Sequence, residues 1–220
     1  MAKGKCYMYY LMLDTETCNS IDDPLCYDIG FAIVDEKGKI YEKFSYIVKE
    51  IFLYEKELMK NAYFAEKIPQ YFKEIWNGSR KVATLYEIKC KVWECMIKYD
   101  TVYVVAHNMR FDYRSTNKTQ RYLTKSKYRY FFPYGTIFLD TLKMAKEIFK
   151  NDEEYKTFCQ RNNFMTSKNQ VRLTAEIIYR FLTNDLDFTE SHTGFEDVEI
   201  ESKIFAECMS RNPNINGRLW

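Results

Sequence analysis

The order of strand-like and helical segments along the chain is the feature that most restricts its fold. Five short segments are rich in apolar, aromatic or β-branched residues, a composition typical of strands. They cover residues 7–13, 27–34, 39–48, 101–106 and 136–139. The second and third flank a turn-type sequence at residues 35–38, which predicts a hairpin. Three consecutive strands followed by strands separated by helices predict an α/β fold, a mixed five-stranded sheet flanked by helices.

Helical patterns occupy most of the remaining chain. Residues 51–99 have a helical pattern with breaks near Pro69 and at residues 77–79. The β-branched run at residues 101–106 predicts a central strand. The helices expected after it lie at about residues 112–123, 141–150, 153–162, 171–183 and 194–210.

The 220-residue chain has only seven glycines and four prolines, and it contains neither a repeat nor a Pro/Gly/Ser-rich linker. These features predict a single domain over residues 1–220. No apolar run reaches about 18 residues, so neither a transmembrane helix nor a membrane partner is expected. The seven cysteines are odd in number and form no C-x-x-C pair. This pattern favours reduced thiols in a cytoplasmic protein over a disulfide framework or a zinc knuckle.

Positive and negative charges are concentrated in two separate regions, although the net charge is only +2. Residues 110–134 contain seven Lys or Arg residues and one acidic residue. Residues 185–201 contain seven acidic residues, one histidine and no Lys or Arg. A basic region can hold a polyanion and an acidic region can bind cations. The alternative is that both regions are ordinary solvated surface, and the charge pattern alone does not decide between them.

Asp14 and Glu16 directly follow the apolar run at residues 7–13. In an extended chain, residues i and i+2 point to the same face about 6.6 Å apart, so both carboxylates can reach one metal site. Phosphodiester hydrolysis needs an activated water and neutralised phosphate charge, and two divalent ions held by carboxylate oxygens supply both. Because D-x-E also occurs at Asp152 and at Asp197, a strand-end turn is the alternative interpretation.

Asp112 follows the predicted central strand in the sequence AHNMRFD. A carboxylate at a strand-to-helix junction lies at the carboxyl edge of the sheet, where the sites of α/β proteins collect. The alternative is that Asp112 is the N-cap of the next helix, although a cap can also be a ligand. Asn108 is a candidate to hydrogen-bond across the site, whereas His107 is expected to be an interior residue at the strand end.

A third group of candidate residues lies in the sequence SHTGFEDVEIE. Thr193 and Glu196 match the S/T-x-x-E capping box, which predicts the start of a helix. Asp197 then lies in the first turns of this helix, and His192 lies on the loop before it, free to move. The ordinary pKa of histidine suits a general base at neutral pH. His107 also precedes an Asp by five residues, and only position favours His192, for which an exposed loop histidine is the alternative.

These three motifs, in this order, make the sequence similar to the DEDDh branch of the DnaQ-like exonucleases. The motifs are LDTET at residues 13–17, AHNMRFD at residues 106–112 and H-x-x-x-x-D at residues 192–197. The segments YDIGFAIVDEKGKI at residues 27–40 and DTLKMAKEIF at residues 140–149 are also similar to segments of this family. The sister DEDDy branch carries a Tyr at the place of Thr193, so the resemblance favours the histidine branch.

The resemblance implies a ribonuclease H-like fold and the removal of nucleotides from 3′ ends with two Mg²⁺ or Mn²⁺ ions. By motif position, it implies that one ion is held by Asp14, Glu16 and Asp197. Asp14 would bridge to the second ion, which Asp112 would support directly or through water. His192 would take the proton of the attacking water.

The expected substrate is single-stranded or frayed nucleic acid, with DNA preferred over RNA, held by the basic segment that follows the second motif. The candidate substrate-binding residues are Thr15, Asn108, Arg114, Lys118, Arg121, Lys125, Lys127 and Arg129. One alternative is an RNA-trimming, oligoribonuclease-like enzyme. Another is a proofreading subunit that acts mainly in complex with a polymerase, which would then bind in trans. A catalytically inactive nucleic-acid binder is disfavoured because all five catalytic and metal-binding candidates are present.

Overall fold

The computed structural model describes residues 8–125 and 130–220, whose strands form one six-stranded mixed sheet. The strands are β1 (Tyr9–Ser20), β2 (Asp23–Asp35), β3 (Ile40–Val48), β4 (Lys81–Ala83), β5 (Tyr103–Ala106) and β6 (Ile137–Asp140). Their order across the sheet is β4-β3-β2-β1-β5-β6. β1, β2 and β3 form an antiparallel meander, and the β3–β4, β1–β5 and β5–β6 pairs are parallel. The predicted α/β architecture is confirmed, and this strand order agrees with a ribonuclease H-like fold.

The predicted number of five strands is wrong, because β4 was not recognised. This strand covers only three residues inside the region predicted as helical, and it pairs with residues 46–48 at the end of β3. A segment of three residues is too short to display the alternation of apolar and polar side chains from which strands are recognised. Its strand conformation therefore depends on β3, a neighbour that is distant in sequence.

Eight α-helices occur in the described ranges, together with a π-helical turn at Glu50–Tyr54 and a 3₁₀ turn at Ala65–Lys67. They are α1 (Lys56–Met59), α2 (Ile68–Trp76), α3 (Leu85–Lys98), α4 (Met109–Thr124), α5 (Thr141–Phe149), α6 (Glu153–Arg161), α7 (Ala175–Thr183) and α8 (Gly194–Arg211). Pro69 does not break a helix but lies in the first turn of α2, where no helical hydrogen bond needs its missing N–H. None of these helices combines the length and apolar character needed to cross a lipid bilayer.

Alternation along β1 distributes its side chains between two hydrophobic cores. Leu11 and Leu13 pack in the core formed with α1 to α4, whereas Tyr10 and Met12 pack in the core formed with α5 to α8. β1 does not end at residue 13 as predicted, because its pairing with β2 continues to Ser20. Strand alternation therefore directs the next acidic residues of β1 towards the side of α5 to α8.

The edge of β1 is open where its acidic residues lie. The pairing of β5 with β1 covers only Leu11 and Met12, and β5 ends at Ala106. α4 begins at Met109, three residues earlier than predicted, after Asn108 in a left-handed conformation (φ 73°). Side chains from α4 on one face and α8 on the other can therefore reach β1 beyond the end of β5.

Candidate active site

The first turn of α8 lies against β2 at a contact between two glycines. A Cβ atom on Gly30 would lie 1.5 Å from the carbonyl oxygen of Gly194, and a Cβ atom on Gly194 would lie 2.6 Å from the nitrogen of Gly30. Gly30 is also the residue that pairs with Asp14 across β1 and β2. The absence of both side chains therefore brings the start of α8 beside Asp14, which places Asp197 at the same location.

A buried carboxylate of β2 accepts the first N–H of α8. The Gly194 N–H donates to Asp28 Oδ2 at 3.2 Å, and the same oxygen lies 3.0 Å from Arg80 Nη1 in a buried ion pair. Thr193 is the N-cap residue, as predicted, but its side chain makes no capping hydrogen bond. The predicted capping box with Glu196 is therefore wrong, because Asp28 takes over the role of the cap from outside the helix.

Gly30→Ala is expected to destabilise the folded chain by about 3 kcal/mol, because the added methyl group overlaps backbone atoms that have no rotamer to change. Urea unfolding measures the effect. Gly78→Asn is the control, since Gly78 lies in an open turn (φ 77°) with nothing within 4 Å, and asparagine tolerates this conformation. Equal stability of the two variants would contradict the close approach of α8 to β2.

Six carboxylates converge where β1 passes between α4 and α8, and we call them the carboxylate cluster. They are Asp14, Glu16, Asp112, Glu190, Asp197 and Glu201. No Lys or Arg side chain of residues 8–125 or 130–220 pairs with any of them. The Oδ2 atom of Asp14 is buried and has no hydrogen-bond partner among the residues that the structure describes. Such a group of buried and half-buried carboxylates is stable only when bound protons or cations neutralise its charge.

Burial and repulsion by neighbouring carboxylates raise the pKa of every member of the cluster. Burial and repulsion by Glu190 raise the pKa of Asp14 to about 7, and burial and repulsion by Asp14 raise the pKa of Asp197 to about 9. Burial and repulsion by Glu176 raise the pKa of Glu190 to about 7. Burial, followed by repulsion from Asp14, also raises the pKa well above its ordinary value in Glu16, Asp112 and Glu201.

The donor atoms of this cluster fit divalent cations. Carboxylate oxygens are hard donors, which suit Mg²⁺ or Mn²⁺. One donor atom each of Glu16, Asp197 and His192 lie within 4.8 Å of one another. A cation would also satisfy the orphaned Asp14 Oδ2 and would relieve the repulsion that raises the pKa of these acids.

In EDTA, the free energy of unfolding is expected to fall as the pH rises from about 4 to about 9. Asp14, Glu190 and Asp197 have folded-state pKa values above their unfolded values, so the folded state binds more protons and loses stability as they ionise. Urea unfolding across this pH range measures the slope. Asp197→Asn should flatten it between pH 7 and 9, and Mn²⁺ should flatten it in the wild type. Identical slopes with EDTA and with Mn²⁺ would contradict a cation-binding cluster.

Asp112 reaches the cluster from the opposite face of the sheet. The Thr15 hydroxyl donates to Asp112 Oδ1 at 2.8 Å and lies 3.1 Å from Ser115 Oγ. Asp112 lies in the first turn of α4 and is not its N-cap. Because Thr15 is only 5% exposed, its side chain lies behind the carboxylates, where it orients Asp112. The structure engages the Thr15 hydroxyl with Asp112, and the binding of substrate by Thr15 stays a prediction.

His192 lies beside Glu16 and Asp197 with its ring held in place. The ring stacks on Phe64, with centroids 3.9 Å apart and planes inclined by 10°. This contact differs from the freely moving loop histidine that was expected, and His192 itself has a left-handed backbone (φ 53°). Burial lowers the pKa of His192, so its imidazole is neutral at pH 7 and can accept a proton.

His107 has partners that give it a structural role, in agreement with its prediction as an interior residue. One ring nitrogen lies 3.0 Å from Thr141 Oγ1 and the other lies 2.8 Å from the carbonyl oxygen of Leu173. Its backbone N–H donates to Glu201 Oε2 at 3.1 Å. With both ring nitrogens occupied, His107 connects three elements and orients Glu201 within the carboxylate cluster.

The residues predicted to bind substrate are divided between two places. Asn108 is exposed and lines a cleft of about 890 Å³ that contains Asp14 at its inner end. The candidates on α4 lie elsewhere: Arg114 Nη2 donates to the carbonyl oxygen of Ile21 at 2.8 Å, and Lys118 pairs with Asp23. The remaining candidates are Arg121 and Lys125, which are exposed, and Lys127 and Arg129, which lie outside the described residues.

Three residues of the site were not identified from the sequence. The acid-rich composition of residues 185–201 marked the region but singled out neither Glu190 nor Glu201. Glu201 follows Asp197 by one helical turn, so helical periodicity was a usable signal for it. Glu190 lies on a loop, and Phe64 lies in a distant segment before the 3₁₀ turn. No spacing in the sequence relates these two residues to the motifs.

Comparisons with known proteins give a limited result. No family model matches the chain, and no curated protein matches it. Among solved structures, the chain is similar to Exonuclease X in complex with 5′ overhanging duplex DNA, with 14% identity, 94% of both chains covered and a TM-score of 0.45. It is also similar to cell-death related nuclease 4, with 11% identity, 94% of this chain and 65% of that chain covered, and a TM-score of 0.47. Both similarities are weak, so the geometry of the site must carry any functional conclusion.

Proposed function

We propose that this chain is a metal-dependent 3′→5′ exonuclease that hydrolyses phosphodiester bonds at the 3′ ends of single-stranded or frayed nucleic acid. The observation that carries the proposal is the carboxylate cluster, in which six acids lie beside one neutral histidine without a cationic partner in the described ranges. Ionised carboxylates that are buried without counterions destabilise the folded chain, whereas two bound divalent ions would neutralise their charge. Action at 3′ ends is supported by the resemblance of the three sequence motifs to those of the DEDDh exonucleases.

Each member of the predicted catalytic set has a role in this proposal. Asp14, Glu16 and Asp197 would hold one ion, and Asp14 and Asp112 would hold the other. When bound, the two ions supply neutralisation of the phosphate charge and acidification of the attacking water. Asp14 is central because it raises the pKa of four other members of the cluster and its own pKa is raised by the fifth, Glu190, so it interacts with all of them.

His192 acts as the general base. Its neutral imidazole can accept the proton of the attacking water at pH 7, because burial lowers its pKa. Stacking on Phe64 limits the orientations of the ring, and the donor atoms of Glu16 and Asp197 lie within 4.8 Å of a ring nitrogen. A base that is already oriented loses little entropy in the transition state.

A nuclease assay of the purified chain tests this function. Labelled single-stranded DNA and RNA oligonucleotides are incubated with Mg²⁺, Mn²⁺ or EDTA, and the products are resolved by length. We expect hydrolysis with either ion, none with EDTA, and a higher rate on DNA. A higher rate on RNA would favour the oligoribonuclease-like alternative. Undiminished hydrolysis in EDTA would contradict the proposal.

A further inference from the structure

The cleft that contains the carboxylates continues outward between α5 and the segment 166–175. Asp14, Glu190 and Glu201 line its inner end, and Asn108 lies beside them. Further out, the lining changes from acidic to basic and polar side chains. These are Lys146 of α5, Lys150 directly after it, and Thr166, Ser167, Gln170 and Arg172 of the segment 166–175. We call this outer part the basic cleft.

The cationic side chains of the basic cleft are free to bind an external anion. Lys146 lies on α5, and Lys150, directly after α5, keeps the helical conformation one turn further on, which places both on the same face about 6 Å apart along the axis. Arg172 lines the same cleft from the segment 166–175. All three side chains are exposed, and within residues 8–125 and 130–220 none of them forms an ion pair. On α4, by contrast, Lys118 is already paired with Asp23.

The wall that carries Arg172 is ordered by its own hydrogen bonds. Thr166 and Gln170 close a tight loop through a 2.7 Å backbone bond, and the Gln170 N–H also donates to Thr166 Oγ1 at 3.1 Å. The Tyr155 hydroxyl donates to the carbonyl oxygen of Arg172 at 2.6 Å. Leu173 is linked to His107 and through it to the carboxylate cluster. The basic cleft is therefore held in a fixed relation to the candidate active site.

We propose that the basic cleft binds the phosphate backbone of the substrate strand next to its 3′ end. Lys146, Lys150 and Arg172 neutralise successive phosphates, while the Ser167 hydroxyl is available to phosphate oxygens. The acidic inner end repels an unscreened phosphate and the basic walls attract one, so the charge gradient orients a strand along the cleft. This inference rests on the proposed function. It assigns most of the phosphate binding to the basic cleft instead of the basic region after Asp112.

The salt dependence of oligonucleotide binding tests this assignment. Each neutralised phosphate of a single strand contributes about 0.7 to the slope of log affinity against log salt concentration. The triple variant Lys146→Gln/Lys150→Gln/Arg172→Gln should therefore reduce the slope by about 2 units. Affinity for single-stranded oligothymidylate is measured between about 50 and about 200 mM salt, in Ca²⁺ to suppress hydrolysis.

Two matched variants complete the experiment. Lys37→Gln/Lys39→Gln/Arg161→Gln removes the same charge from exposed positions outside the cleft, and its slope should equal that of the wild type. Lys118→Gln/Arg121→Gln/Lys125→Gln removes three cations from the last turns of α4 and the residue after it, and it should change the slope by less than the cleft variant does. An unchanged slope in the cleft variant, or a loss confined to the α4 variant, would overturn the proposal.

Failure of this inference is distinguishable from failure of the proposed function. Binding is measured without hydrolysis, so the two results are independent. If the wild type has no nuclease activity but the cleft variant has a reduced salt slope of binding, the exonuclease proposal is refuted and the cleft proposal is supported. An active nuclease whose binding slope does not respond to the cleft variant would refute the cleft alone. A wild-type chain that does not bind oligothymidylate would overturn the cleft assignment.

Discussion

Asp14→Asn is expected to reduce nucleotide release by at least about a thousandfold, because each loss of about 1.4 kcal/mol in transition-state stabilisation costs a factor of ten. Asp14 raises the pKa of Glu16, Asp112, Asp197 and Glu201, and its own pKa is raised by Glu190, so it interacts with all five other members of the cluster. Asparagine keeps the size of the side chain and removes its charge, so no cavity forms. Single-turnover hydrolysis of a labelled oligonucleotide in Mg²⁺ or Mn²⁺ measures the loss.

Thermal unfolding separates the loss of metal ligands from the loss of the fold. In EDTA, Asp14→Asn should be at least as stable as the wild type, because a buried charge that repels its neighbours is removed. With Mn²⁺, only the wild type should gain stability substantially, since only an ion bound to the folded state stabilises it. Asp187→Asn is the control from the same acidic region, where Asp187 is exposed and outside the cluster. Full activity in Asp14→Asn would refute the two-metal proposal.

His192→Ala is expected to lower kcat by about two to four orders of magnitude and to change oligonucleotide affinity little. The imidazole is neutral and stacked on Phe64 beside Glu16 and Asp197, so its removal eliminates the base without removing a carboxylate ligand. In the wild type, the rate should rise with pH through a group whose pKa lies below the ordinary histidine value, because burial lowers the pKa of His192. The pH dependence of kcat in both proteins measures this contribution.

The second histidine supplies the control for this experiment. His107→Gln keeps a side chain that can hydrogen-bond with Thr141 or with the carbonyl oxygen of Leu173, so the shape of the pH profile should not change. A general base at position 192 requires the acidic limb of the profile to disappear in His192→Ala only. If the limb disappears in His107→Gln and persists in His192→Ala, the base has been assigned to the wrong histidine.

The parts of the fold that depend on local pattern were predictable from the sequence. Runs of apolar residues located five of the six strands, and helical periodicity located the helices after residue 140 to within a few residues. The end of β1 was misplaced because polar residues after Leu13 look like the end of a strand, whereas β2 continues to pair with them. The three-residue β4 was missed because its strand conformation depends on β3.

The site was predictable to the extent that its residues follow motifs along the chain. The motifs located Asp14, Asp112 and Asp197, and the structure brings them to one place from β1, α4 and α8. Their assignment as ligands stays a prediction. Glu190 and Phe64 enter through tertiary packing that leaves no spacing signal. The basic cleft shows the same limitation, because its charges come from two segments whose proximity is a property of the fold.

The direction of degradation tests the central claim most directly. Single-stranded DNA labelled at its 5′ end is prepared with either a free or a chemically blocked 3′ end and is incubated with the chain and Mg²⁺ or Mn²⁺. For a 3′→5′ exonuclease built on the carboxylate cluster, the free strand should shorten through a ladder of single-nucleotide steps while the label stays on the shrinking strand. The blocked strand should persist, and Asp14→Asn should produce no ladder. Internal cleavage of the blocked strand, or immediate release of the label as a mononucleotide, would contradict the account.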